Sequence, residues 1–190
     1  SSFDHAPMAG AFLNVSSSIQ ERIFVTKPFV HLHLHTEYSI VDSTVRIPAL
    51  MNKAASSAMP AVALTDQGNM FALVKFFRKA FEYGVKPLIG ADLRVRNPDE
   101  PDRPFSLVLL SQDQMGYRNL TRLVSRSDQE GQARGVAMVE PEWLDESRSK
   151  RLIALSGGIN GDIGRALVAG HENMAAERLD HWLSVFRDRF

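Results

Sequence analysis

Three imidazoles stand at alternate positions, His31, His33 and His35, and three carboxylates follow at Asp42, Asp66 and Asp92. In an extended chain residues i and i+2 share a face, so the three rings project together, neighbours about 7 Å apart. Two imidazoles so placed can chelate one divalent ion, and nitrogen donors suit zinc, iron, manganese or nickel. Three imidazoles stacked in a dry core without partners would be costly. The plainer alternative is that one or two of them are surface or hydrogen-bonded residues. A single Asp after a strand is commonly a turn former or helix cap, but three of them following paired histidines point to a metal site. The chain has no cysteine, which excludes disulfides and thiolate ligands and leaves His, Asp or Glu to hold any metal.

These residues need elements to place them. Phe29 to His35 alternates in period two and predicts a strand, with Val30, Leu32 and Leu34 on the face opposite the histidines. Apolar residues at 47, 50, 51, 54, 55 and 58 predict a helix, with Pro48 in its first turn. Residues 60–65 read as a short buried strand ending just before Asp66. Asn69 is the expected cap of a helix to about Tyr83, which Gly84 stops. A strand over 87–95 contains Asp92, and the charged, Pro-bearing stretch 96–104 is a loop. A strand over 105–110 follows. Ser111 with Gln114 fits a capping box for a helix through Leu120, Leu123 and Val124. The stretch 125–136 reads as a loop or a ragged helix end, 140–146 as a short helix and 151–156 as a fifth strand. Asn160 is the expected cap of a helix to Val168, and a last helix spans about 172–186. Strands alternating with helices imply an α/β fold with parallel strands. Five such units are too few for a closed eight-stranded barrel, so the chain reads as an incomplete barrel or an open sheet.

The chain has 190 residues, 44% hydrophobic and 23% charged, enough for one domain with a substantial core. Twenty-two basic residues balance twenty-two acidic ones, which argues against a strong charge-driven grip on nucleic acid by this segment. No apolar run reaches the length of a membrane span, and no secretory signal is evident. Residues 1–28 read as an extension of uncertain order, with the domain over 29–190. Gly157-Gly158 with Asn160-Gly161 reads as a turn and helix start. Arg118, Arg122 and Arg126, at i+4 spacing, read as a solvated helix face. Trp143 and Trp182 are expected to pack, and His171 and His181 to be ordinary surface residues.

Phe-Val-His-Leu-His-Leu-His-Thr-Glu-Tyr-Ser at 29–39 with Val-Asp at 41–42, Ala-Leu-Thr-Asp-Gln-Gly-Asn-Met at 63–70 and Gly-Val-Lys-Pro-Leu-Ile-Gly-Ala-Asp at 84–92 resemble the first three motifs of the PHP (polymerase and histidinol phosphatase) domain family. The version resembled is the one that opens the alpha subunits of bacterial polymerase III, and the likeness covers about 29–190. It implies a seven-stranded distorted β/α barrel, of which this chain is an incomplete part, with a trinuclear metal site at the strand C-termini. It implies His33, His35, Asp42 and Asp92 as metal ligands, Asp92 standing where many members have Glu. Asp66 is implied as a residue behind the ligands, and His31 as a less certain one. Gln67 stands where metal-binding members have His, which implies a weakened metal position. The family's later ligands match nothing within the 190 residues.

The function so implied is DNA replication as part of a DNA-directed DNA polymerase, a nucleotidyltransferase that uses magnesium and whose palm carboxylates match nothing here. The portion itself is expected to be a scaffold or docking surface for the proofreading exonuclease subunit, with weakened metal-dependent phosphoesterase chemistry using zinc, manganese or a similar ion. Other holoenzyme subunits, DNA contacted through the parent protein, and a cytoplasmic location complete the expectation. The alternatives are a free-standing PHP phosphoesterase and a catalytically dead interaction barrel.

Overall fold

The computed structural model describes residues 29–40 and 42–190. The expected extension 1–28 and Val41 of the first motif lie outside them. Four strands form one open sheet in the order β1-β2-β3-β6, comprising β1 (Ala61–Leu64), β2 (Lys86–Val95), β3 (Phe105–Ser111) and β6 (Leu152–Leu155). A two-stranded ribbon, β4 (Gln132–Ala133) with β5 (Val136–Ala137), stands beside it. The helices are α1 (Ile47–Ser56), α2 (Leu73–Glu82), α3 (Gln114–Glu130), α4 (Asp162–Val168) and α5 (Glu172–Phe186). The architecture is mixed α/β, as expected. The strands are not all parallel: β1 and β2 are, joined through α2, whereas β3 is antiparallel to both β2 and β6. The reason is the loop 96–104, which returns the chain directly without the crossover helix that a parallel pair requires.

Alternation along the strands divides two environments. Ala91, Leu93 and Val95 of β2, Phe105, Leu107 and Leu109 of β3, and Leu152 and Ala154 of β6 pack under α3 and α5 in one core. Trp182 and Phe186 of α5 are essentially sealed within it, each worth roughly 1.5–3 kcal/mol of apolar burial. A second core joins α1, α2 and β1 through Ile47, Met51, Val62, Leu64 and Phe76. By period two, Asp92, Arg94, Ser106, Leu110, Ile153 and Leu155 occupy the opposite face of the main sheet.

Several local expectations change. Residues 29–35 make only an isolated bridge, His31 with Val62, instead of a strand. Ala63 N–H donates to His31 O and Thr65 N–H to Leu34 O, so the segment advances three residues while β1 advances two. That extra residue is a bulge, held by Thr65 Oγ1, which accepts from Leu34 N–H at 2.7 Å and donates to Leu34 O at 3.0 Å. Asn69 shapes the turn ahead of α2 without capping it: its Nδ2 donates to Tyr38 O and Gln67 O, and its Oδ1 accepts from Phe71 N–H. Gly84 ends α2 as expected, at φ +68°. The cap of α3 is Asp113, which accepts from Gly116 N–H, because Ser111 Oγ is spent on Ile89 O. α3 runs to Glu130, taking up the first part of the stretch read as a loop or ragged helix end, because Leu123, Val124 and Ser127 still face the core. A single 3-10 turn, Pro141–Trp143, replaces the expected helix over 140–146, and Gly161 rather than Asn160 precedes α4.

Candidate metal centre

The bulge brings His33 and His35 side by side. Their Nε2 atoms are 3.2 Å apart, and Asp92 Oδ2 lies 3.0 Å from the first and 3.2 Å from the second. A tetrahedral ion with bonds near 2.0 Å has ligand–ligand edges of roughly 3.3 Å, so these three atoms already stand at the spacing a single small divalent ion requires. They form the one group of three such ligands found among the described residues. Two imidazoles and one carboxylate suit zinc or another first-row ion.

Asp92 is 3% exposed, in the middle of β2 opposite Val108. Burial pushes its carboxyl up. Hydrogen bonds from His33, His35 and Ser106 outweigh that and hold it well below the usual carboxylate range. Ser106 Oγ donates to Oδ1 at 2.5 Å, leaving Oδ2 for the histidines. The His35 pKa is raised, first by its hydrogen bond to Asp92, against the opposing effect of burial, and further by Asp42. Asp42 Oδ2 lies 2.6 Å from His35 Nδ1. The resemblance implies Asp42 as a ligand, yet the structure sets it on the far ring nitrogen of His35, outside the His33–His35–Asp92 group. That carboxylate–imidazole pairing fixes the tautomer that leaves Nε2 free to coordinate.

The remaining expected residues take other positions. His31 packs edge-on against Phe29 at 4.8 Å and does not join the group. Asp66 is fully buried and touches neither histidine. It accepts from Thr36 N–H at 2.5 Å, Thr36 Oγ1 at 2.8 Å and Ser39 Oγ at 3.2 Å, which pins the turn after His35. Gln67 is the ladder neighbour of Asp92, so their side chains share a face. Its Oε1 is taken by the Arg94 guanidinium at 2.6 Å. Ser106, Thr36, Ser39 and Arg94 were not singled out by sequence reasoning. Ser106 becomes recognisable only from the β2–β3 register, which pairs it with Arg94 beside Asp92, whereas Arg94 shares the face of Asp92 by period two along β2.

The PHP domain family matches residues 31–190. The DNA polymerase III subunit alpha of Pseudomonas fluorescens is 48% identical over 163 residues, 85% of this chain and 14% of that protein. The subunit of the same name from Pseudomonas aeruginosa is 47% identical over 167 residues, 87% of this chain and 14% of that protein. The chain thus spans about 14% of the length of these curated relatives. A solved amidohydrolase from Chromobacterium violaceum is similar at a TM-score of 0.42 and 21% identity, covering 53% of this chain and 33% of its own.

Proposed function

This chain belongs to the PHP domain family, and from that premise we propose that it is the N-terminal PHP portion of a bacterial DNA polymerase III alpha subunit, working in DNA replication. The observation that carries the reading is the 48% identity over 163 residues to a subunit of that name. In this reading nucleotidyl transfer, with its magnesium, belongs to carboxylates elsewhere in the parent protein. The present portion is a scaffold and a docking surface for the proofreading exonuclease subunit, built around a metal site.

His33, His35 and Asp92 hold one divalent ion in this proposal, zinc or manganese by donor chemistry. The ion, when bound, would supply Lewis acidity toward a phosphoryl oxygen. The chain's own residues orient that site: Asp42 sets the His35 ring, Ser106 aims Asp92, and Asp66 anchors the turn between them. Gln67 presents its amide oxygen to Arg94, whose fixed positive charge beside it disfavours a further cation there. That engagement favours weakened phosphoesterase chemistry over a full multinuclear hydrolase. A free-standing phosphoesterase is the second reading, supported by the converged ligands alone.

The test is made on the full-length protein. A gene product several-fold longer than this chain, extending a primed template with magnesium and co-purifying with the exonuclease subunit, is the expected result. A product that ends shortly after the PHP domain and hydrolyses a small phosphate ester would overturn the polymerase reading.

A further inference from the structure

The arginine stripe on α3, read from sequence as a solvated face, is more than that. Arg122 and Arg126 border a pocket of about 250 Å³ together with Asn119, Trp143, Arg148 and Ser149, between α3 and the turn before β6. No carboxylate lines it. Arg126 is fixed in place: its guanidinium lies 4.1 Å from the Trp143 ring centroid, and its Nε donates to Glu130 at 2.8 Å. Arg148 approaches Asp145 at 3.4 Å. Among the ion pairs of the described residues none involves Arg122, so three guanidinium groups face two carboxylates and an excess positive charge remains.

An independent observation points to a ligand here. Ser149 is 1% exposed, and its Oγ has no hydrogen-bond partner among the described residues. Its backbone is satisfied: the N–H donates to Asp145 O, and the C=O accepts from Leu152 N–H and from Arg189. A buried hydroxyl left unpaired is unfavourable, and Ser149 is among the residues lining the same pocket as the three guanidiniums. Guanidinium forks match the oxygens of a phosphate group, and a hydroxyl donor can serve a further oxygen. The pocket lies on the helix-covered side of the sheet, whereas Asp92 lies on the other face.

We infer that this pocket is an oxyanion site that takes a phosphate group, with Arg122, Arg126 and Arg148 as its charged rim and Ser149 Oγ as its inner donor. The phosphate can come free or on a nucleotide, and the same chemistry serves both.

The experiment titrates inorganic phosphate into metal-free full-length protein carrying Asp92→Asn, by calorimetry, so that the metal centre contributes nothing. Saturable binding that weakens with salt is expected. Arg122→Gln should weaken it about tenfold, the loss of one charged hydrogen bond, with the melting temperature unchanged. Ser149→Ala should also weaken binding while leaving the melt as stable or more so. Competition by thymidine monophosphate assigns the phosphate to a nucleotide, and its failure to compete assigns it to the free ion. No saturable binding, or binding untouched by both substitutions, overturns the inference.

Discussion

At the residue scale, the site rests on one buried carboxylate that draws two imidazole nitrogens to within 3.2 Å. His35 has a raised pKa because Asp92, then Asp42, hydrogen-bond to its ring. In metal-free protein the stability due to charged His35 is therefore complete below about pH 6.5, the ordinary histidine value. It fades as pH rises through the raised folded value. Asp92, depressed, contributes above about pH 3.9, the ordinary value, and loses its contribution only as pH falls through its lower folded value. Asp42→Asn should move the His35 NMR titration midpoint downward. It should also weaken divalent-ion affinity about 10–100-fold, the usual effect of removing the partner of a ligating histidine; an unmoved midpoint would contradict the pairing. Gln67 makes a second case. Arg94 is permanently charged and sits against it, so Gln67→His alone should add no metal. Gln67→His with Arg94→Ala should raise metal content. An equal rise in both variants would show that the guanidinium does not guard that position.

At the element scale, the bulge after His31 and the docking of α3 determine what the site residues meet. α3 approaches the turn before β6 so closely that a Cβ on Gly116 would lie 2.0 Å from Arg151 O. Gly116→Ala should therefore destabilise by about 1–3 kcal/mol, the cost of overpacking, measured as a lower denaturation midpoint with the metal ligands intact. A neutral substitution would mean that α3 docks differently. Here the limits of the sequence are visible. Helices with long apolar stripes were legible, α5 with Trp182 and Phe186 among them, because period 3.6 survives tertiary context. The alternation that sets His33 and His35 on one side was legible, but not the bulge beside them, because it depends on the long-range bond of Thr65 to Leu34. Caps were misplaced at Ser111 because Asp113, two residues on, does the capping, and at Asn69 and Asn160 because α2 and α4 start after Ala72 and Gly161 with no side-chain cap. The ladder partners of a strand are nonlocal facts, so Ser106 carried no local signal, whereas Arg94, two residues from Asp92 on β2, was placed on its face by period two alone.

At the scale of the whole molecule, the face opposite the main core bears Leu88, Leu110, Ile153 and Leu155. They line a cavity of about 770 Å³ with Val74 and Phe77, the latter two well exposed. An apolar groove beside the sheet edge at β6 is an association hazard. Residues 29–190 alone should self-associate in light scattering; a monomer with a sharp cooperative melt would contradict this. Among the described residues no helix is long and apolar enough to cross a membrane. We hold that the bulge and β2 together build a position for one divalent ion. This is tested most directly by counting zinc and manganese in the purified full-length protein and in its Asp92→Asn variant. About one equivalent is expected at the His33–His35–Asp92 group, and it should be lost in the variant. Less than one equivalent in the parent, or equal content in both, would contradict it.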